Sequence, residues 1–375
     1  MTRTRKIIVG TLSVISGLLV VALVVLGTVL SHDSPCQPAP ALSDHAVRMK
    51  AVVYRCYGPP EVLKVEELEK PTPTDEQVLV KVRAASINPL EWHYMTGTPY
   101  LMRAGAGIGH PEDPRIGVDF AGTVEAVGKS VTKFKVGEAV FGGADGALGE
   151  YVTVREGGSI VLKPTNMTFE QAAAVPIAAV TALQGLRDTG KVHAGQKVLI
   201  NGASGGVGTF AVQIAKSLGA EVTAVCSTRN VELVKSLGAD HVIDYTHEDF
   251  TQGTQRYDVI FDTVGSHSLS EYRHVMIPDG IFVIVGGPST DPWLGPLLVP
   301  LKAKFLQPFV SQKFEFFLAD LNQQDLDVLA NMIQAGKLTP AIDRTYPMSD
   351  IQAAIRYLQA GHARGKVVIE VGDSS

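Results

Sequence analysis

Apolar and polar positions follow three different patterns along this chain. Residues 7–30 form a run of 24 positions without a charged side chain. From about Met49, short Val-rich runs such as QVLVKVRAASI are separated by Gly and Pro. From about Lys163, apolar runs alternate between the lengths of a strand and of a helix. The chain is therefore predicted to contain an apolar helix, an irregular β-barrel and an α/β domain.

The first run is long enough to cross a bilayer as a helix, because about 20 apolar residues span the hydrocarbon core. It exceeds the roughly 7–15 apolar residues of a signal peptide, which remains the alternative. We predict a single-pass membrane anchor over 1–30 and a Pro-rich linker over 31–47. Arg3, Arg5 and Lys6 precede the run and favour the rest of the chain outside the cytoplasm, although so few charges leave the orientation undecided.

The α/β part begins with the strand KVLINGA, over 197–203, and the helix GGVGTFAVQIAKSLG. The strands EVTAVCS, DHVIDY, DVIFDTV and IFVIVGG follow, and this alternation predicts a parallel, doubly wound sheet. KFEFFLA is predicted as an edge strand, and the Pro-containing apolar stretch before it as a packing loop. The predicted domains cover 48–165, 166–335 and 336–375, and the last of these returns to the first domain.

Composition narrows the function classes. Hydrophobic residues make up 45% and charged residues 19% of the chain, which is typical of a globular protein. The net charge is −5 and no long basic run follows the first six residues, so nucleic acid is not an expected partner. Cys36, Cys56 and Cys226 are few and far apart, which predicts neither a disulfide framework nor a Cys-x-x-Cys metal site and does not fix the redox compartment.

The motif NGASGGVG, over 201–208, lies between a predicted strand and a predicted helix. Glycines let the backbone approach a pyrophosphate, and the helix N-terminus supplies N–H groups and the positive end of the helix dipole. This context favours a dinucleotide-binding fingerprint over a plain turn. The predicted cofactor contacts in the motif are Ser204, Gly205, Gly206, Val207 and Gly208.

The stretch AVCSTRN, over 224–230, indicates which dinucleotide is bound. NAD enzymes commonly carry an acid about 20 residues beyond the glycines, where it binds the ribose 2′-hydroxyl. Ser227 stands 22 residues after Gly205, and no acid is present there. Ser227, Arg229 and Asn230 could instead bind a 2′-phosphate, with Arg229 as the charged partner. The sequence therefore predicts NADPH, and the alternative is an Arg229 that is merely solvated at a helix start.

Several motifs between Met49 and Val371 resemble the medium-chain dehydrogenase/reductase superfamily: GVDFAGTVEAVG, KVGEAVFG, GEYVTV, NGASGGVG and GHARGKVVIEV. The resemblance implies a GroES-like catalytic domain beside a Rossmann domain. Zinc alcohol dehydrogenases of the superfamily carry Cys where this chain has Asn88, and His-Glu where it has Val118 and Asp119. The chain is therefore similar to the zinc-free, quinone-oxidoreductase-like branch, including chloroplast-envelope quinone oxidoreductase homologues, and no metal is expected.

The branch implies NADPH-dependent reduction of quinones or of the C=C bond of α,β-unsaturated carbonyls. It implies that Asn88 lies near the nicotinamide. Many relatives have Tyr where this chain has His93, so the proton donor is undecided among His93, Tyr94 and solvent. Family positions also imply cofactor contacts at Thr181, Tyr245, Gly286, Gly287, His362, Ala363 and Arg364.

Two other functions remain open from the sequence. One is a non-catalytic NADPH-binding protein that senses redox state or holds a partner at the membrane. The other is an alcohol dehydrogenase, which would need a metal. A homodimer is common in the superfamily, and the predicted edge strand KFEFFLA would be its contact.

Overall fold

The computed structural model describes residues 18, 20–288 and 291–372. In that part of the chain the strands form two large sheets and one separate pair. The earlier strands are β1 (Arg48–Tyr54), β2 (Leu63–Glu69), β3 (Gln77–Ile87), β4 (Asp119–Val127), β5 (Ala139–Gly143), β6 (Tyr151–Arg155) and β7 (Ile160–Leu162). The later strands are β8 (Lys197–Asn201), β9 (Glu221–Cys226), β10 (His241–Asp244), β11 (Tyr257–Asp262), β12 (Met276–Ile284), β13 (Lys313–Phe316), β14 (Ile342–Pro347) and β15 (Lys366–Glu370).

The helices cover the sheets and connect their strands. The first, α1, covers residues 20–31. The others are α2 (Pro89–Thr96), α3 (Arg103–Ala106), α4 (Phe169–Ala173), α5 (Pro176–Gln184), α6 (Gly206–Ser217), α7 (Val231–Ser236), α8 (Leu269–His274), α9 (Leu298–Leu306), α10 (Gln323–Gln334) and α11 (Ile351–Gln359).

The first large sheet is built around β3, whose Val, Ala and Ile side chains are mostly buried. Its strand order is β14–β15–β3–β4–β5–β7, and β6 also pairs with β3. All of these pairs are antiparallel except β14 with β15. The strand β15 thus lies beside β3, although the two are far apart in the sequence.

The second large sheet has the order β10–β9–β8–β11–β12–β13, and every neighbouring pair is parallel. The order reverses between β8 and β11, as in a doubly wound dinucleotide-binding fold. This confirms the predicted GroES-like plus Rossmann architecture. The outermost strand, β13, occupies the predicted edge, while the homodimer stays a prediction.

The apolar stretch before β13 differs from the predicted loop, because it contains α9. Pro300 is the third residue of that helix. Proline is tolerated there because the first backbone N–H groups of a helix have no intrahelical partner. Pro308 follows the helix, where it cannot interrupt the hydrogen bonds of α9.

One buried cluster joins the two sheets. Ala84 of β3, Ala121 of β4 and Phe141 of β5 are fully buried in the same apolar cluster as Val198 and Ile200 of β8. Helices α4, α5 and α6 contribute most of the small side chains between them. This shared core fixes the position of the second sheet against the first, and the candidate site lies at their junction.

The predicted membrane anchor is wrong. Within residues 18, 20–288 and 291–372, no helix combines the length and the apolar character needed to cross a membrane. Residues 1–17 and 19 of the predicted anchor lie outside the described residues. The predicted single-pass membrane location is overturned with it.

The structure contains one disulfide bond that the spacing of the cysteines did not predict. Cys36 and Cys56 form a disulfide bond, with their Cα atoms 4.4 Å apart. The linker folds back beside the end of β1, where the N–H of Gln37 donates to the carbonyl of Arg55 at 3.1 Å. This return of the chain brings together two cysteines whose spacing gave no sign of pairing. Cys226 is free and buried at the end of β9.

Candidate active site

The turn between β8 and α6 has the geometry of a phosphate-binding loop. Gly202 has a φ of 82°, a left-handed conformation that other residues rarely adopt. A Cβ atom on Gly208 would lie 2.1 Å from the carbonyl oxygen of Gly202, so α6 can approach the loop only through glycine. A Cβ atom on Gly205 would come no closer than 3.4 Å to that oxygen, its nearest neighbour among the described atoms. Packing does not require Gly205, whose missing side chain leaves room for a ligand.

The N-terminus of α6 is suited to an anion. The helix has 12 residues, and no side chain in the described part of the protein caps its first turn at Gly205. Its unpaired N–H groups and aligned peptide dipoles present positive charge at this end. The turn lies where the sheet order reverses, which is the ligand-binding position of doubly wound folds. The loop from Ser204 to Gly208 therefore fits the pyrophosphate of a dinucleotide.

The side chain of Asn230 brings together the polar residues predicted to select the cofactor. Its Nδ2 atom donates to Ser204 Oγ at 2.9 Å and to Ser227 Oγ at 3.1 Å. Its Oδ1 atom accepts from Arg364 Nε at 2.9 Å. Because the two serine oxygens accept from one amide, their O–H groups can donate to a ligand. Asn230 is buried, so this arrangement is fixed before any ligand binds.

Two arginines border the cluster formed by Ser204, Ser227 and Asn230, which we call the Asn230 cluster. Arg229 follows β9, and its guanidinium donates to the carbonyl of His362 at 2.6 Å. Arg364 lies in the same turn as His362, and its backbone N–H donates to Asp343 Oδ2 at 2.8 Å. A guanidinium has five N–H donors, so both side chains retain donors for a phosphate. Arg229 and Arg364, which come from opposite ends of the chain's second half, therefore provide two positive charges at one place.

A second polar cluster is buried where β3 and β4 meet α5. Asp119 is fully buried at the start of β4. Its Oδ2 atom accepts from Ser86 Oγ at 2.9 Å and from Asn88 Nδ2 at 3.0 Å. Its Oδ1 atom accepts from the N–H of Ile177 at 3.0 Å. Burying a carboxylate is costly unless it is paired, and these donors supply part of the compensation.

Lys366 supplies the opposite charge. Its side chain is 3% exposed, and its Nζ atom lies 3.3 Å from Asp119 Oδ2. The same ammonium donates to Asn88 Oδ1 and, at 3.3 Å, to the carbonyl of Ile87. The amide of Asn88 therefore lies between a donor-only ammonium and an acceptor-only carboxylate.

Comparisons with known proteins identify the family. Residues 74–165 match the alcohol dehydrogenase GroES-like domain, and residues 237–369 match a domain described as zinc-binding dehydrogenase. The chain is 34% identical over 336 residues to 2-methylene-furan-3-one reductase of Solanum lycopersicum, covering 86% of this chain and 79% of the relative. It is equally similar, with the same coverage, to the chloroplastic NADPH-dependent alkenal/one oxidoreductase of Arabidopsis thaliana.

The chain belongs to the medium-chain dehydrogenase/reductase superfamily. Its structure superposes on the quinone oxidoreductase of Coxiella burnetii with a TM-score of 0.76 and 31% identity, over 87% of this chain and 100% of that one. This confirms the predicted resemblance to the quinone-oxidoreductase-like branch. The described residues contain no group of three His, Cys, Asp or Glu arranged to hold a metal.

Glu91 is a buried carboxyl group with a raised pKa that the sequence analysis did not single out. It is 1% exposed, and its Oε2 atom accepts the N–H of Asn88 at 2.7 Å. Its Oε1 atom has no hydrogen-bond partner within the described part of the chain. Burial raises the pKa of Glu91 to about 7; Asp119 adds to this effect, and Lys366 and the N–H of Asn88 oppose it. An acid at the third position of a helix usually signals only a capping contact, so the sequence gave no sign of this shift.

His93 and Tyr94 lie on α2, close in sequence to Asn88. The Nδ1 atom of His93 lies 2.7 Å from the carbonyl of Thr98, so Nδ1 must carry a proton. Burial lowers the pKa of His93, while the Thr98 carbonyl opposes the shift. A neutral imidazole with its proton on Nδ1 has an unprotonated Nε2, which cannot donate. Tyr94 is half-buried against the core of the first domain. The choice of proton donor among His93, Tyr94 and solvent stays a prediction.

The other predicted contacts border the same region. The Thr181 hydroxyl donates to the carbonyl of Ile177 at 2.7 Å, on the helix whose first turn Asp119 holds. Tyr245 is 57% exposed and directly follows β10. The last residue of β10 pairs with Cys226, which precedes the Asn230 cluster in the chain. The remaining contacts lie in two turns, Gly286 and Gly287 after β12, and His362, Ala363 and Arg364 before β15. The structure thus brings Ser204, Ser227, Arg229, Asn230 and the 362–364 turn together.

Lys366 is the main residue that the sequence reasoning missed. It stands 278 residues from Asn88 in the chain. One signal was available, because Lys366 is a lone cation at the start of the apolar strand KVVIEV. A charged residue is rarely buried without a partner, so that position could have prompted a search for an acid.

Proposed function

We propose that this protein is a zinc-independent, NADPH-dependent oxidoreductase that reduces quinones or the C=C bond of α,β-unsaturated carbonyls. The observation that carries the proposal is the donor cluster around Asn230. Two serine hydroxyls and two guanidinium groups converge beyond the end of β9, where an acid would select NAD. Such donors match the charge and the acceptor oxygens of a 2′-phosphate.

The substrate class is supported by the relatives and by the residues near Asn88. The tomato and Arabidopsis relatives are named for conjugated carbonyl compounds, and the Coxiella structure is named for quinones. Reduction of a conjugated system requires a hydride, a proton and a hydrogen bond to the carbonyl oxygen. None of these requirements calls for a Lewis acid, which agrees with Asn88 at a position where zinc enzymes carry Cys.

Bound NADPH would supply the hydride, and a proton from an acid or from water would complete the quinol or the saturated carbonyl compound. The residues of this chain would bind the cofactor, orient it and polarise the carbonyl group of the substrate. The fingerprint loop and α6 would hold the pyrophosphate, and the Asn230 cluster would hold the 2′-phosphate. One N–H of Asn88 Nδ2 donates a hydrogen bond to Asp119, and the second N–H can donate to a carbonyl or carboxamide oxygen.

The first experiment is a spectrophotometric screen of the purified chain with NADPH and a panel of quinones, enones and enals. We expect oxidation of NADPH by at least one compound, and a lower Kd for NADPH than for NADH. Absence of NADPH binding would refute the proposal. Tight NADPH binding without turnover of any compound would instead support the non-catalytic sensor, and stoichiometric zinc would support an alcohol dehydrogenase.

The cofactor assignment is tested separately with the double variant Ser227→Asp/Arg229→Leu. A charge-assisted hydrogen bond contributes about 1.5–3 kcal/mol, and the new carboxylate adds repulsion, so NADPH binding should weaken by about 100-fold or more. NADH binding should change by less than about threefold, because NADH lacks the phosphate. Arg256→Leu, which removes an exposed arginine that donates to backbone carbonyls, is the control. Equal losses for both cofactors would contradict the assignment.

A further inference from the structure

Lys366 contacts both halves of the candidate site. The residue before it, Gly365, forms an isolated parallel bridge with Gly205 of the fingerprint loop. The Cδ atom of Lys366 lies 3.1 Å from the position that a Cβ atom on Gly206 would occupy. The aliphatic part of the side chain therefore covers the first residue of α6. The ammonium at its end reaches Asn88 and Asp119 in the other domain.

The surroundings of the Asn88 amide allow one orientation. A carboxamide has an acceptor oxygen and a donor nitrogen of nearly the same size, so its two orientations fit the same space. Lys366 Nζ can only donate, and it faces Oδ1. Asp119 Oδ2 can only accept when ionised, and it faces Nδ2 at 3.0 Å. Rotating the amide by half a turn would place donor against donor and acceptor against acceptor.

We propose that Lys366 is a positioning residue that fixes the orientation of the Asn88 amide and ties it to the fingerprint loop through its stem on Gly206. The inference rests on the proposed function, because it concerns the amide at the reacting end of that site. Lys366 need not touch substrate or cofactor. It acts through Asn88, and it keeps the remaining Nδ2 proton directed to one side. A shift of the loop on binding a dinucleotide would move the stem and so the amide.

The test compares Lys366→Met, which removes the ammonium and keeps most of the stem, with Lys366→Arg, which keeps a donor-only cation. We expect Lys366→Met to lower kcat by about 10- to 100-fold, as small misplacements at reacting centres do. The Kd for NADPH, measured by fluorescence, should change by less than about threefold. Lys366→Arg should recover part of kcat. Lys216→Met is the matched control, because Lys216 also binds a carboxylate and a backbone carbonyl but lies near the C-terminal end of α6, the end away from the fingerprint loop.

Loss of stability is separated from loss of position by the double variant Lys366→Met/Asp119→Asn. The single variant leaves Asp119 as a buried, unpaired charge and should lower Tm. The double variant removes both charges, so Tm should recover while kcat stays low, because nothing then fixes the amide. Recovery of wild-type kcat in the double variant would overturn the inference, since it would leave Lys366 with a role in stability alone.

Two further readouts separate this inference from the proposed function. In an Asn88→Ala background, Lys366→Met should lower kcat no further, because residues that act through one another are not additive. An equal loss in both backgrounds would overturn the inference.

The second readout is the side-chain NH₂ signal of Asn88, which is assigned by its loss in Asn88→Ala. The NH₂ protons should exchange slowly with solvent in wild type and in Lys216→Met, and faster in Lys366→Met. Unchanged exchange in Lys366→Met would also overturn the inference. A wild type that binds NADPH without turnover would refute the proposed activity and leave the NMR test valid.

Discussion

Replacing Glu91 with Gln should remove a pH-dependent loss of stability. Glu91 is buried, and its pKa rises from 4.5 to about 7 because burial disfavours the ionised form, with Asp119 adding to the effect. Between pH 4.5 and pH 7 the unfolded chain has released a proton that the folded chain retains, so stability falls as pH rises. At about 1.36 kcal/mol per pH unit, the loss across this interval is about 3 kcal/mol.

The assay is urea unfolding of wild type and Glu91→Gln at pH 5 and pH 8. Glutamine preserves the size and the capping contact, as Gln171 shows by accepting the N–H of Thr168 at the same helix position of α4. Most of the loss lies between these two pH values. The free energy of unfolding of the variant should therefore gain about 2–3 kcal/mol relative to wild type on going from pH 5 to pH 8.

Glu271 provides the control, because it makes the same contact with the N–H of Ser268 on the surface. The backbone and side chain of Ser268 lower the pKa of Glu271, so its contribution is complete above its ordinary pKa and is lost only in stronger acid. Glu271→Gln should show no difference between pH 5 and pH 8. If Glu91→Gln also differs from wild type by the same amount at both pH values, Glu91 does not titrate in this range.

Two other changes test features of the fold. The Cys36–Cys56 bond spans 20 residues, so Cys36→Ser/Cys56→Ser should lower the free energy of unfolding by up to about 3 kcal/mol. Dithiothreitol should cause the same loss of stability in wild type and have no effect on the variant. A variant as stable as wild type would contradict the prediction. A Cβ atom on Gly208 would lie 2.1 Å from a backbone oxygen, so Gly208→Ala should lower stability by about 1–3 kcal/mol in thermal unfolding. Gly205→Ala should leave Tm unchanged and weaken NADPH binding. A loss of Tm in Gly205→Ala with none in Gly208→Ala would refute the assignment of Gly208 to packing and of Gly205 to ligand binding.

The parts of the site that are local in sequence could be predicted. The strand–turn–helix unit from Lys197 to Ser217 carries its own signals, namely an apolar run, glycines at fixed spacing and a helix pattern. The Ser227–Asn230 patch follows from that unit by counting residues. Such features depend on neighbours in the chain, and the structure places them together.

The features that the sequence did not reveal depend on distant residues or on folding back of the chain. Lys366 reaches Asn88 only because β15 pairs with β3. The disulfide forms only because the linker returns along β1. Arg103 is buried and donates to the carbonyls of Leu30 and His32, each at 3.1 Å, which holds the end of α1 against the first domain. The anchor was predicted from hydropathy alone, which contains no information on such contacts.

The pairing of β15 with β3 also sets a time order for the nascent chain. Proteins emerge from the ribosome N-terminus first and their domains fold as units. The six strands from β8 to β13 lie within residues 197–316, so the dinucleotide-binding sheet can form while the ribosome is still translating. Asn88 emerges from the ribosome earlier still, yet it can meet Lys366 only after β15 has been synthesised, about 50 residues beyond the end of β13. The order of synthesis therefore delays an oriented Asn88 until β15 has emerged.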